Sequence, residues 1–281
     1  MAETSVGTAV TAEIIPPFLA TANLDPYLPD DLMTWPTEDD LPCEDDEPME
    51  TPRHRRQMEV LIQSLELHWA DRKNWYIGGN MFVYFSPNQV KTEDYRGPDF
   101  FAVQGVEDRD RKSYVVWQEE KAPDVIIELL SDKTREFDKK QKKRIYQDKL
   151  RVPEYYWFDP YSYEWAGFRL VGSVYQPIEP DEQGRLICEV FGLALIQREG
   201  RFGSFGGTWL RWATLDGELL LTPQELADIA QREAEAAQRE AEAAQREAEA
   251  AQREAENARQ RTGELEALLA KYQQQFGALA E

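Results

Sequence analysis

Cysteine and histidine are scarce in this chain of 281 residues, with two of each. Cys43 and Cys188 are too few for a disulfide framework, and a reducing compartment is the plain expectation. No histidine or cysteine pair stands at zinc-ligand spacing, which argues against a zinc site. Long apolar runs are missing as well. No stretch approaches the roughly 18 apolar residues that span a bilayer, and no basic region leads into an apolar core as in an export signal. The chain reads as soluble and cytoplasmic, with no membrane partner. Basic residues are absent from the first fifty positions: thirteen acids stand there before the first arginine, Arg53.

That last absence changes the meaning of the net charge. Of the formal −21, residues 1–50 carry −13 and residues 224–281 carry −6, leaving −2 for residues 51–223. The middle of the chain is nearly neutral, with its basic residues clustered, so a phosphate-rich partner is compatible with the composition. Pro16, Pro17, Pro26, Pro29, Pro36, Pro42 and Pro48 interrupt the acidic segment, and Glu44–Glu47 adds self-repulsion. Residues 1–50 therefore read as a poorly ordered, solubilising arm that Trp35, Ile14, Ile15, Phe18 and Leu19 could tack onto a core, ahead of the alternative that its acids mimic DNA and guard a basic groove.

What is present begins at Thr51. Met58, Leu61, Ile62, Leu65 and Trp69 recur at steps of three and four, one face of a helix with Thr51 as N-cap and Pro52 in its first turn. His54 and Glu59 lie off that stripe and read as its solvated face, the alternative being a helix that lends a polar group to the site beside Asp99. Residues 74–85 alternate around Gly78, Gly79 and Asn80, a strand–turn–strand pattern; without a following Gly-Lys and helix, the glycines read as backbone geometry rather than a phosphate cradle. Residues 161–223 hold short strands at 163–171, 174–178, 185–190 and 208–213, extending one sheet.

Residues 97–160 carry the chemistry. Asp99, after Pro98, opens one apolar strand, and a further strand is expected at 113–118. In Asp124–Leu130 the apolar run is nearly continuous, as in a strand buried on both faces, and Glu128 inside it is costly unless paired or bound to a metal. A basic helix follows to about Leu150, and one of its inward lysines can reach the carboxylates; Lys142, one turn before Tyr146, is the candidate. Two carboxylates on adjacent strands suit a hard cation such as Mg2+, with Mn2+ as the alternative.

Four blocks together resemble the Uma2 family of the PD-(D/E)XK restriction-endonuclease-like superfamily. They are Gly-Pro-Asp-Phe-Phe at 97–101, Pro-Asp-Val-Ile-Ile-Glu-Leu-Leu-Ser at 123–131, Asp138 with Lys142 and Tyr146, and Val-Pro-Glu-Tyr-Tyr-Trp-Phe-Asp-Pro at 152–160. The resemblance covers about residues 50–225. It implies a restriction-endonuclease-like α/β core with a mixed central sheet and flanking helices. It also implies a metal-dependent endonuclease acting on DNA, with Asp99 and Glu128 as metal ligands. The superfamily's lysine two residues after the glutamate is Leu130 here, and the helical Lys142 corresponds to the ammonium that replaces it. Lys139, Lys140, Lys143 and Arg144 are candidate contacts to backbone phosphates. His54 matches a histidine often found on the family's first helix. The rival reading, carried by Leu130 and the heavy acidity, is a nuclease-like domain that no longer cleaves and serves nucleic-acid or protein binding and assembly through its C-terminal helix.

From Gln231 the heptad Gln-Arg-Glu-Ala-Glu-Ala-Ala repeats, with alanine at a and d positions and a register that runs on to Leu265 and Leu269. Residues 224–281 are expected to form one long helix. An alanine seam buries little area per layer, so a lone helix and a homo-oligomeric coiled coil stand level. Three regions follow: the arm at 1–50, the core at 51–223 and the helix at 224–281.

Overall fold

A computed structural model describes residues 37–39, 41, 51–86 and 95–277, so most of the acidic arm lies outside the described residues. Two compact units divide at residue 223.

In the first unit, α1 (Pro52–His68) starts where expected: the Thr51 side chain accepts from the His54 N–H, with proline in the first turn. Its buried face, Leu61 and Leu65, packs against a six-stranded sheet. The strands are β1 (Trp75–Gly78), β4 (Phe100–Gln104), β6 (Val125–Leu129), β7 (Glu154–Phe158), β8 (Trp165–Val171) and β9 (Val174–Ile178), adjacent in that order. Only β6 and β7 run parallel within this sheet; the other neighbours are antiparallel. Parallel neighbours need a crossover, and residues 135–150 supply it as a helix.

That sheet is covered on both faces. Val125, Ile127 and Leu129 of β6 face α1, while Ile126 faces Tyr146 and Leu150 of the crossover. All five residues of β6 are buried, which is why its sequence shows no alternation. Smaller sheets flank the central one: β3 (Tyr95–Arg96), β2 (Val83–Tyr84) and β5 (Tyr114–Val115) in one, and β10 (Leu186–Cys188), β11 (Leu193–Phe202) and β12 (Phe205–Thr214) in the other.

Two expectations are corrected here. The strand foreseen at 113–118 stops after two residues and turns into the one-turn helix α2 (Val116–Glu119). Its pairing with β2 ends at Tyr84↔Val115, and Glu119 turns back to form ion pairs with Arg109 at 2.6 Å and Arg111 at 2.8 Å. The strands after residue 161 do not all extend one sheet. β8 and β9 do, whereas β10–β12 stack over the α1 face through Leu193, Leu195, Leu210 and Trp212. Strand β11 has no counterpart in the sequence reading. Its outer half is polar and exposed, and full pairing with β12 out to Phe202↔Phe205 is what holds it extended.

A short piece of the acidic segment does reach the core. Glu38 pairs with Arg109 at 2.7 Å, and Leu41 is buried beside Phe82, Tyr84 and Val115. The second unit consists of α5, which spans Pro223–Phe276 and is exposed along its repeats. The i, i+4 pairs Arg239–Glu235 and Arg246–Glu242 stand at 3.4 Å, worth only tenths of a kcal/mol each at such exposure. No described helix is long and apolar enough to cross a membrane.

The glycines near residue 78 serve close approach. Gly78 lies opposite Phe101 in the β1–β4 register, and a Cβ there would collide with the fully buried Phe101 ring. Gly78→Ala is expected to cost about 1–3 kcal/mol through overpacking. Urea denaturation would show it as a lower midpoint, with the native far-UV spectrum retained.

Candidate active site

The site is assembled from β4, β6 and the crossover helix. Pairing of β4 with β6 places Phe100 across from Ile127, and one further step along the same register sets Asp99 across from Glu128. Like charges facing each other across a strand pair are destabilising, so this placement needs compensation. Asp99 is partly exposed, and its Oδ2 accepts a 2.8 Å hydrogen bond from the Leu129 N–H. Just before it, the Pro98 carbonyl accepts from the N–H of Asn80, whose positive φ of 49° turns the chain between β1 and β2.

Glu128 is fully buried. The Lys142 ammonium lies 2.9 Å from its Oε2, and the Tyr146 hydroxyl donates to its Oε1 at 2.6 Å. Lys142 stands equally close, 2.9 Å, to Oδ1 of Asp138. Asp138, Lys142 and Tyr146 are spaced four residues apart on a helix that is not uniformly α. Between α3 (Arg135–Phe137) and α4 (Lys143–Ile145) lies a π turn, Asp138–Lys142, and a second, Tyr146–Leu150, follows. Such turns often occur at functional sites. The Tyr155 hydroxyl on β7 donates to the Asp138 carbonyl at 2.9 Å, tying the first π turn to the sheet.

The electrostatics follow from this crowding. Burial pushes the Glu128 carboxyl well above its ordinary value, with the Asp138 and Asp99 charges adding to it while Lys142 and Tyr146 oppose. Burial also raises Asp99, against the pull of Lys142 and the Leu129 N–H. For Lys142, burial favours the neutral amine, but Glu128, Asp138 and Asp99 outweigh it and hold the ammonium above the usual lysine range.

Asp99, Glu128 and Lys142 are thus brought together, and two more polar groups join them. In the sequence Asp138 and Tyr146 are marked only by their regular spacing about Lys142, which assigns neither a role. His54 departs from expectation. It is 4 % exposed rather than solvated, because the N-terminal turn of α1 packs against the end of β6. Its Nε2 lies 3.1 Å from the Leu130 carbonyl and its Nδ1 2.8 Å from Thr51 Oγ1. Thr51 Oγ1 already accepts from the His54 N–H and the Tyr161 hydroxyl, so its own proton is available to Nδ1. That leaves Nε2–H to donate to Leu130. His54 therefore holds the backbone two residues beyond Glu128.

The remaining basic candidates sit on the outer face of the same helix. They line an open groove of about 870 Å³ with Lys133 and Tyr175, and the carboxylates lie on the helix's inner side. Lys139 is 3.3 Å from Glu164 and 4.0 Å from the centroid of the Trp157 ring; Lys140 pairs with Glu136 at 2.5 Å. Lys143 sits 3.2 Å over Phe168, and burial lowers its pKa. Arg144 and Lys133 are exposed and have no acidic partner among the described residues.

A mixed sheet flanked by helices, with two carboxylates and a lysine at its centre, defines a nuclease-like α/β protein. The chain belongs to the Uma2 family, described as "Putative restriction endonuclease", whose model matches residues 45–196. One solved structure it is similar to is that of "a putative nuclease belonging to DUF820" from Anabaena variabilis. The two are 15% identical, the match covers 48% of this chain and 72% of that one, and the TM-score is 0.36. No curated protein matches.

Asp99→Asn tests the cost of the facing charges. A carboxyl whose folded pKa is raised destabilises the fold once pH exceeds its unfolded value, and costs nothing below it. The amide keeps an acceptor for the Leu129 N–H and removes the charge. The variant is therefore expected to gain about 1 kcal/mol, or roughly 3 °C in Tm, at neutral pH. Thermal melts as a function of pH should show the gain vanish as pH falls below 3.8, the ordinary aspartate value.

Proposed function

We propose that this protein is a divalent-metal-dependent endonuclease that hydrolyses phosphodiester bonds in DNA, with Asp99, Glu128 and Lys142 as its catalytic residues. The observation that carries this reading is the buried Glu128, facing Asp99 across one strand register with the Lys142 ammonium 2.9 Å away. Restriction-endonuclease-like families generally use divalent metals, and the donor set here fits a hard one. Two carboxylates supply oxygen ligands only, and no group of three or more His, Cys, Asp or Glu gathers into a metal cluster among the described residues. Magnesium accepts such a sparse set, because water and substrate phosphate complete its shell. Glu128 holds one donor on each oxygen and keeps lone pairs in reserve.

Bound at Asp99 and Glu128, Mg2+ or Mn2+ would polarise a phosphoryl oxygen and lower the pKa of a water. The protein's own groups do the rest. Leu129 N–H and Tyr146 OH orient the two carboxylates. Lys142 offsets negative charge as it develops on the phosphate, from a position with little water to screen it. On the outer face, Arg144 and Lys133 are free to meet backbone phosphates, and Lys140 can leave its exposed pair with Glu136 at little cost. Lys139 and Lys143 are held on aromatic rings and must be released first.

A second reading is a binding module that does not cleave. Leu130 in the usual lysine slot favours it, as does the engagement of both Glu128 oxygens by donors.

Cleavage of supercoiled plasmid and of single-stranded DNA, with Mg2+ or Mn2+, separates the two. The expected result is metal-dependent nicking that falls by about a hundredfold or more in Asp99→Ala and in Lys142→Ala. Folded wild-type protein that cleaves neither substrate with either metal supports the binding module instead.

A further inference from the structure

Moving the ammonium from strand to helix creates a difficulty that the structure itself addresses. A lysine two residues beyond Glu128 would be fixed by the strand that carries the glutamate. Lys142 instead arrives on a four-carbon stem from another element, with about 2 kcal/mol of rotamer entropy to lose. It also forms its ion pair with Glu128 through the carboxylate that a metal would occupy. An ammonium anchored there alone would compete with the cation, and once displaced it would have nowhere in the site to stay.

Asp138 supplies the second anchor. Its carboxylate is 1 % exposed, and its Oδ1 lies 2.9 Å from the Lys142 ammonium. No aligned hydrogen bond reaches that oxygen among the described residues, so the lysine is its charge partner. Geometry explains how it reaches the lysine. In a regular α-helix, residues four apart drift by about 40° around the axis. The π turn at Asp138–Lys142 unwinds this stretch, and Asp138, Lys142 and Tyr146 all face inward as a result. Tyr155 fastens the turn by donating to the Asp138 carbonyl.

We infer that Asp138 is a positioning residue, which holds the Lys142 ammonium in the site through a second carboxylate contact, so that a divalent cation can take Glu128 without expelling the lysine or being blocked by it. The inference rests on the metal site proposed above. It assigns Asp138 no direct contact with the metal: its effect on cation binding passes through Lys142.

The test is a double-mutant cycle on cation affinity, read on full-length protein by calorimetric titration with Mn2+ alone, without DNA or turnover. Asp138→Asn is close to isosteric. It is expected to weaken Mn2+ binding about tenfold, since Lys142 is then left to Glu128 and Asp99 and competes more strongly. Lys142→Met, which removes the competitor, is expected to bind Mn2+ at least as tightly as wild type. In that background the further change Asp138→Asn should alter the affinity less than twofold. Thermal melts establish that each variant is folded; if Lys142→Met is not, Lys142→Gln takes its place in the cycle. An equal loss of affinity in both backgrounds would mean that Asp138 acts on the cation directly, and would overturn the inference. So would an unchanged affinity in Asp138→Asn. Wild-type protein that binds no Mn2+ at all would overturn the metal site itself, and the inference with it.

Discussion

The confrontation of two carboxylates across one strand pair is the constraint on which the centre of this protein depends. Asp99 stands one step beyond the last β4–β6 pair, Phe100↔Ile127, opposite Glu128, and its Oδ2 is held by the Leu129 N–H. A fold that merely needed stability would place apolar or opposite charges there. Here the crossover helix brings an ammonium and a phenol to Glu128, and a further carboxylate, Asp138, to the ammonium. The arrangement is charged, buried and mutually dependent, which is how ionisable groups acquire shifted pKa values at functional sites.

The rest of the first unit is built to hold that point. β6 and β7 are parallel, so their connection must cross the sheet, and the helix that carries Lys142 is that connection. The opposite face of the sheet is sealed by α1 and by β10–β12. From there His54 reaches the Leu130 carbonyl, so both faces contribute to the stretch that follows Glu128. The π turns set the direction of the inner side chains and leave the outer face of the same helix basic and open. One helix thus presents lysines of two kinds. Lys142 is half-buried and paired with acids, while its neighbours sit over aromatic rings, in exposed pairs or without an acidic partner among the described residues.

Much of this was legible beforehand, and for identifiable reasons. An isolated glutamate in an apolar run signals a special environment whatever the fold, because an unpaired buried charge is too costly. The run itself announced a strand covered on both sides. Lys142 could be singled out by its distance along the helix and its relation to Tyr146. His54 could not be placed. Its position on α1 is off the apolar stripe, and only the approach of β6 to the helix N-terminus makes that position interior. Strand β11 escaped for the converse reason: its outer half has no apolar alternation and is extended because β12 pairs with it.

The sequence alone therefore determined the local and compositional facts: helix starts, the turn at Gly78–Asn80, the buried run of β6 with its single acid, and the alanine heptads of the last sixty residues. Each depends on neighbours within a few positions, through propensity, capping and hydrophobic period. Tertiary structure decided what meets what. Asp99 and Glu128 are 29 positions apart and meet through a strand register, while Lys142 and Asp138 reach them through a crossover and an unwound turn. The strand expected from residue 113 shrinks to Tyr114–Val115, and the chain turns so that Glu119 meets Arg109 and Arg111. Such encounters follow from long-range pairing and packing, whose energies no window of sequence contains.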